Sequence, residues 1–203
     1  MMVPKVVVFD LGKVLVDFDY MKVARAVSAR GTVSPEEALQ VVHLSPLLPR
    51  YEMGLITREQ FYAEVRGQTG YGGPIDEFAV DFADIFEPMT PMIELHAALR
   101  EAGVPTFIFS NTNDLAVGHI QRSYPFFSLF DGYIYSFEHG AAKPHDALYE
   151  VVERLTGRSG ADILYIDDRA ENIATGEKRG WRVILQETPE KTRAAVRAAG
   201  LIG

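Results

Sequence analysis

A chain of 203 residues, 47% of them apolar and with a formal net charge of −8, is long enough for one full core or for a core plus a small accessory domain. It has no cysteine, which excludes disulfides and thiolate metal sites, and no apolar run long enough to span a bilayer, so no membrane association is expected. The acidic balance, with no basic run interleaved with aromatics, argues against nucleic acid as a partner; a small anionic substrate stays compatible where local cations or a metal override the net field.

In chain order, Met1-Met2-Val3-Pro4-Lys5 leads at once into Val6-Val7-Val8-Phe9, which is not the pattern of a signal peptide; the expected location is the cytoplasm. Val6–Phe9 is continuous, apolar and β-branched, which predicts a strand buried on both faces, as in a parallel sheet. From about Asp17 to Pro88 the pattern is helical and no strand is expected. Tyr20, Val23, Ala24 and Val27 share a face, Ser34-Pro35-Glu36-Glu37 and Thr57-Arg58-Glu59-Gln60 are capping boxes, and Phe78, Phe82 and Ile85 make a further stripe. Beyond it, strand patterns recur at Thr106–Phe109, Tyr133–Tyr135, Ile163–Ile166 and Arg182–Leu185. Helices follow Pro91 and Pro144, and another carries Ala170, Ile173 and Ala174. The fold class is therefore α/β. Residues 1–16 and 89–203 form a Rossmann-like parallel sheet flanked by helices, and residues 17–88 form an inserted helical bundle.

Open parallel sheets bind ligands beyond the carboxyl ends of their strands. Asp10, Ser110-Asn111 and Asp167-Asp168 stand at such ends, and Lys143 lies in a loop opening on the same edge. Each has an ordinary reading when taken alone: a turn cap, a helix N-cap, an exposed acidic pair, a solvated lysine. Together they suit phosphoryl transfer. Carboxylates hold Mg²⁺ through hard oxygens, the metal lets an anionic nucleophile approach phosphorus, and Ser110 and Lys143 hold the phosphate oxygens.

These residues resemble the haloacid dehalogenase-like hydrolase superfamily. Val8-Phe9-Asp10-Leu11-Gly12-Lys13-Val14-Leu15 is similar to its first motif, Phe109-Ser110-Asn111 to the second, Lys143-Pro144 to the third, and Ile166-Asp167-Asp168 with Asn172 to the fourth. The insert is similar to the type-1 helical cap. The resemblance implies a Mg²⁺-dependent phosphatase acting on a small phosphorylated metabolite, as a monomer or weak homo-oligomer. It assigns Asp10 as nucleophile and metal ligand and the Gly12 carbonyl as a further ligand. Asp168 is the direct acidic ligand with Asp167 close by, and Asn172 stands behind them. Ser110, Asn111, Lys143 and Gly12 contact the phosphate. The Asp-Leu-Gly opening, Tyr51-Glu52-Met53-Gly54-Leu55-Ile56-Thr57 and Ser110-Asn111-Thr112-Asn113 look like bacterial α-glucose-1-phosphate phosphatase-like members.

One departure matters. Phosphatases of this superfamily usually carry an acid/base Asp two residues after the nucleophile, and here that position is Gly12. A general acid contributes about 10²–10⁴-fold, so its absence implies slow turnover or an activated leaving group, as in an anomeric sugar phosphate, an aryl phosphate or an acyl phosphate. Asp17 and Asp19 are the nearby substitutes, read first as solvated or helix-capping. Arg50, Tyr51 and Glu52 lie at a helix junction placed to face the site, with a surface loop as the ordinary reading. The histidines have no metal-ligand spacing, and His139 and His145 read as surface residues. The alternatives are a 2-haloacid dehalogenase, which the acidic pair Asp167-Asp168 disfavours, and a catalytically impaired binding protein. A receiver domain would carry its acidic pair first in the chain. No dinucleotide-binding or phosphate-loop pattern is present.

Overall fold

The computed structural model describes residues 3–203. The chain opens with β1 (Val6–Phe9), β2 (Val16–Phe18), α1 (Tyr20–Ala29), α2 (Pro35–Leu39), a π-helical turn (Gln40–Leu44), α3 (Leu47–Glu52), α4 (Arg58–Thr69), α5 (Ile75–Ala83) and β3 (Phe86–Pro88). It continues through α6 (Thr90–Glu101), β4 (Thr106–Ser110), α7 (Asp114–Ser123), β5 (Gly132–Tyr135), α8 (Ser136–His139), α9 (Asp146–Thr156), β6 (Ile163–Asp167), α10 (Ala170–Lys178), β7 (Arg182–Leu185) and α11 (Pro189–Ala198).

Five strands form one sheet in the order β5-β4-β1-β6-β7, every pairing parallel. β1 lies at its centre, with Val8 opposite Phe107 on one side and Tyr165 on the other. Alternation along the strands divides the core into two layers. Val7, Phe9, Ile108, Leu164 and Ile166 pack with Met92, Leu95 and Leu99 of α6 and Val196 of α11. Val6, Val8, Phe107, Phe109 and Tyr165 pack on the other face with Leu148 and Val152 of α9, Ile173 of α10 and Trp181. Burial on both faces is why β1 reads as an unbroken apolar run.

The five helices between β2 and β3 enclose a third core. Val23, Val27, Val42, Leu48, Phe61, Val65, Phe78 and Phe82 are its centre, and Tyr51 stacks on Phe61 at 4.6 Å between ring centres. Both expected capping boxes are formed, at Ser34/Glu37 and Thr57/Gln60. The expectation of no strand between Asp17 and Pro88 is corrected. Where the chain leaves and re-enters the α/β layers, β2 and β3 pair antiparallel, Asp17 opposite Glu87 and Phe18 opposite Phe86. Three residues are too few to show a period of two, and these strands exist only because tertiary structure brings the two crossings together. The expected boundaries, 16/17 and 88/89, fall inside β2 and at the end of β3. Among the described residues no helix is long and apolar enough to cross a membrane.

Candidate active site

Because β1, β4 and β6 are parallel neighbours, the residues at their carboxyl ends meet on one edge. One oxygen from each of Asp10, Asp167 and Asp168 can be chosen so that all three lie within 4.8 Å of one another. Between them stands Lys143, its side chain 1% exposed. Its Nζ lies 2.9 Å from Asp10 Oδ1 and 2.7 Å from Asp167 Oδ2, and it donates to the Phe109 carbonyl at 2.9 Å. An ammonium has three N–H groups, and all three are engaged. Holding a phosphate as well, the role expected of Lys143, requires one of these bonds to be shared.

Asp167 is fully buried and saturated. It accepts from Lys143, from the Tyr165 hydroxyl, from the Arg169 amide at 2.8 Å and from Asn172 Nδ2 at 3.0 and 3.1 Å. Burial works to raise its pKa, but Lys143 and the hydrogen bonds outweigh it and hold the carboxyl below its usual range. Asp168, half-buried, makes no side-chain hydrogen bond among the described residues, and burial together with Asp167 pushes its pKa up. The two neighbours therefore differ: Asp167 is tied into the protein, and Asp168 presents free oxygens. Asp168, the expected direct ligand, is thus the member of the pair with oxygens open to a cation, and Asp167 stands close by.

Asp10 accepts from the Leu11 amide at 2.6 Å and from Lys143, both on Oδ1. Burial raises its pKa, opposed by Lys143 and reinforced by Asp167, and the balance is upward. Ser110 is buried at the end of β4 and faces the same cavity. Asn111 lines the cavity, and its side chain also holds the Lys143 backbone, donating to the carbonyl at 3.0 Å and accepting from the amide at 2.7 Å. It positions the lysine and keeps one Nδ2–H uncommitted. Within Ser110-Asn111-Thr112-Asn113 the residue that caps α7 is Asn113, which accepts from the Ala116 amide. Asn172 stands behind Asp167, as expected.

These groups line a cavity of about 280 Å³. Its other wall comes from the helical insert and the chain leading into it: Phe18, Tyr20, His43, Leu48, Pro49 and Glu52. Of the helix-junction trio, only Glu52 reaches the cavity. Arg50 is exposed, and Tyr51 is buried in the insert core, where its hydroxyl meets Asp114. Glu52 makes no side-chain hydrogen bond or ion pair among the described residues, and its pKa is pushed up to about 8, first by burial and then by Asp10, with Arg169 opposing. Asp17 and Asp19 do not line the cavity. Asp17 is exposed and pairs with Lys13, and Asp19 accepts from the Met21 amide as the cap of α1.

Sequence reasoning missed His43. Its ring stacks on Tyr20 at 3.9 Å, and its buried Nδ1 has no partner among the described residues. Tyr20 was legible as part of a helix face, but nothing in spacing marked its neighbour. Gly12 lines the cavity as expected, and a Cβ built there would lie 2.7 Å from Phe18 Cε1. The ring of Phe18 occupies the space that a side chain at residue 12 would need.

Comparison with known proteins follows the same lines. Residues 4–180 match the family model for haloacid dehalogenase-like hydrolases. A sesquiterpene phosphatase of Aspergillus oryzae is 26% identical over 87% of this chain and 86% of its own length. A D-ribitol-5-phosphate phosphatase of Bacteroides thetaiotaomicron is 21% identical over 90% of this chain and 92% of its own. A crystal structure of a family enzyme from Bacteroides thetaiotaomicron, in complex with magnesium and inorganic phosphate, superposes with a TM-score of 0.79 at 22% identity, covering 89% of this chain and 93% of that one.

Proposed function

The chain belongs to the haloacid dehalogenase-like hydrolases, and from that premise we propose that it is a Mg²⁺-dependent phosphatase that cleaves a small phosphomonoester, such as a sugar phosphate, through an aspartyl-phosphate on Asp10. The observation that carries this reading is the imbalance at the strand ends. Three carboxylates face one buried lysine, and the two that are not saturated by the protein, Asp10 and Asp168, are both pushed toward protonation by burial. A hard divalent cation relieves that imbalance, and Mg²⁺ is satisfied by one or two carboxylates completed by water and substrate oxygens. Asp10 and Asp168, with the Gly12 carbonyl that the family motif supplies, would hold it. Bound there, it would neutralise phosphate charge beside the nucleophile. The phosphatase names of the two relatives and the magnesium–phosphate complex of the related enzyme support the same reaction class.

The work of the chain's own residues is positional. Lys143 and the Leu11 amide fix the Asp10 carboxylate at the end of β1. Asp167, Asn111 and the Phe109 carbonyl fix Lys143 in turn. Asp10 attacks phosphorus, the Ser110 hydroxyl meets an equatorial oxygen, and the acyl phosphate is then hydrolysed by water. The insert, residues 17–88, is the cap that covers the cavity and selects the substrate's organic part against Tyr20, His43 and Leu48. The resemblance of its motifs to α-glucose-1-phosphate phosphatase-like members makes an anomeric sugar phosphate one substrate to include.

The test is phosphate release from a panel of phosphomonoesters with Mg²⁺ and with EDTA, beside Asp10→Asn. The expected result is release that requires Mg²⁺ and is lost in the variant. Release that survives both treatments overturns the reading.

A further inference from the structure

We propose that Glu52 is the general acid and base of this site, filling from the helical insert the role left empty at residue 12. The proposal rests on the phosphatase reading above. The loop after β1 has no acid to offer: Gly12 has no side chain and Phe18 fills the space beside it, while Asp17 and Asp19 lie outside the cavity and are already bonded. Among the cavity's carboxyl groups, Asp10 and Asp168 are the metal-facing pair. Glu52 is the remaining carboxyl in the lining, and no donor in the described protein satisfies it.

Its position is fixed rather than incidental. Glu52 is the last residue of α3, and its carbonyl accepts from Ser136 Oγ, which itself accepts from the Thr112 amide at 2.9 Å. Thr112 follows Ser110 by two residues, so one buried serine ties Glu52 to the loop that carries the phosphate-facing hydroxyl. Two residues on, Gly54 has φ +67 and passes so close to the Phe137 carbonyl oxygen that a Cβ would collide with it. The end of α3 is thus clamped on the α/β layers while the Glu52 carboxyl stays free in the cavity. Burial, the largest influence on that carboxyl, favours its protonated form, with the Asp10 charge adding to it and Arg169 opposing; Tyr20 and His43 are the other titratable groups on that wall.

The steps balance. In the first, Asp10 bonds to phosphorus, the bond from phosphorus to the leaving oxygen breaks with its electron pair on oxygen, and the Glu52 carboxyl proton passes to that oxygen, releasing the alcohol. In the second, water bonds to phosphorus while Glu52, now a carboxylate, takes its proton. The bond from phosphorus to Asp10 breaks, and phosphate leaves with both side chains restored. With Glu52 as acid, unactivated alkyl phosphates become competent substrates, which removes the restriction to activated leaving groups implied by Gly12.

The experiment compares the full chain with Glu52→Gln and Glu52→Ala in Mg²⁺, on a primary alkyl phosphate and on 4-nitrophenyl phosphate, by rapid mixing and steady state. The expected result for Glu52→Gln is a fall in kcat on the alkyl phosphate of about 10²–10⁴-fold. On 4-nitrophenyl phosphate, a burst of nitrophenol should appear at near the original rate, followed by slow turnover as phosphorylated Asp10 accumulates. Added formate should restore part of the lost rate in Glu52→Ala, which a merely structural role would not allow. Equal losses on both substrates without a burst, a change in KM alone, or unchanged rates would overturn the assignment. A parent chain without Mg²⁺-dependent release, or an active Asp10→Asn, would instead overturn the phosphatase reading itself, so the two failures are distinct.

Discussion

The two walls of the cavity are built on opposite principles. The wall at the strand ends is closed upon itself: Asp167 is met on both oxygens, Lys143 spends all three of its donors, and Asn111 and Asn172 hold them. The wall from the insert is left open, with Glu52 and the His43 Nδ1 without partners among the described residues. A buried polar group without a partner costs free energy in the resting protein. Where such groups gather on one side of a cavity, the missing partner is to be found in what the cavity binds. The closed wall holds reactive groups in fixed geometry; the open wall is where a substrate's own hydrogen bonds complete the structure.

The comparison is broken most severely by taking a partner from the closed wall. Lys143→Ala leaves Asp10 and Asp167 buried without their cation, and breaking such a pair costs about 3–5 kcal/mol. Urea unfolding without added metal should show that loss. A second break lies where the walls meet. Gly12→Asp drives a side chain into Phe18, and overpacking of this kind costs about 1–3 kcal/mol. Adding Phe18→Ala should recover part of that cost, and the double-mutant cycle should show coupling between the two positions.

A smaller effect comes from behind the closed wall. His96 is buried, stacked on Phe130 at 3.8 Å, with Nε2 3.1 Å from Thr106 Oγ1. Burial holds its pKa down to about 4 in the folded chain. The unfolded chain therefore binds the proton first. Stability is full above the ordinary histidine pKa of about 6.5 and is lost as pH falls from there toward the folded value, by about 1 kcal/mol at pH 5.5. Melting curves across that range should show the fall, and His96→Gln should remove that component. The smallest loss is expected on the open wall. Glu52→Gln should cause no loss of stability in the same unfolding measurement, since it breaks no bond, and at neutral pH it should stabilise the fold by removing a carboxyl that burial holds above its usual pKa, a gain that disappears below about pH 4. A large loss there would mean that the carboxyl is held by the protein after all, and the contrast between the walls would fail.

The central strands β1, β4 and β6 were legible because burial on both faces leaves unbroken apolar runs, and the helices because their capping boxes and stripes are local. The residues at the strand ends were legible for the same reason: once the strands are placed, Asp10, Ser110 and Asp167 have only one edge to occupy. Pairings between distant segments were not legible. β2 and β3 are too short to carry a period. His43 lies in a π-helical turn, where a periodicity of 3.6 assigns faces wrongly, so no stripe could point it at Tyr20.

By itself, then, the order of apolar runs and acids along the chain determined the α/β class, the helical insert and the chemistry gathered at the sheet edge, because each follows from local pattern and from parallel strands having one carboxyl edge. Only the tertiary structure decided which member of the acidic pair is tied down, that Asn111 serves Lys143, that Phe18 closes the space beside Gly12, and that Glu52 stands free in the cavity. Those outcomes depend on which hydrogen bonds and contacts are filled by partners far away in sequence, and no local pattern encodes that.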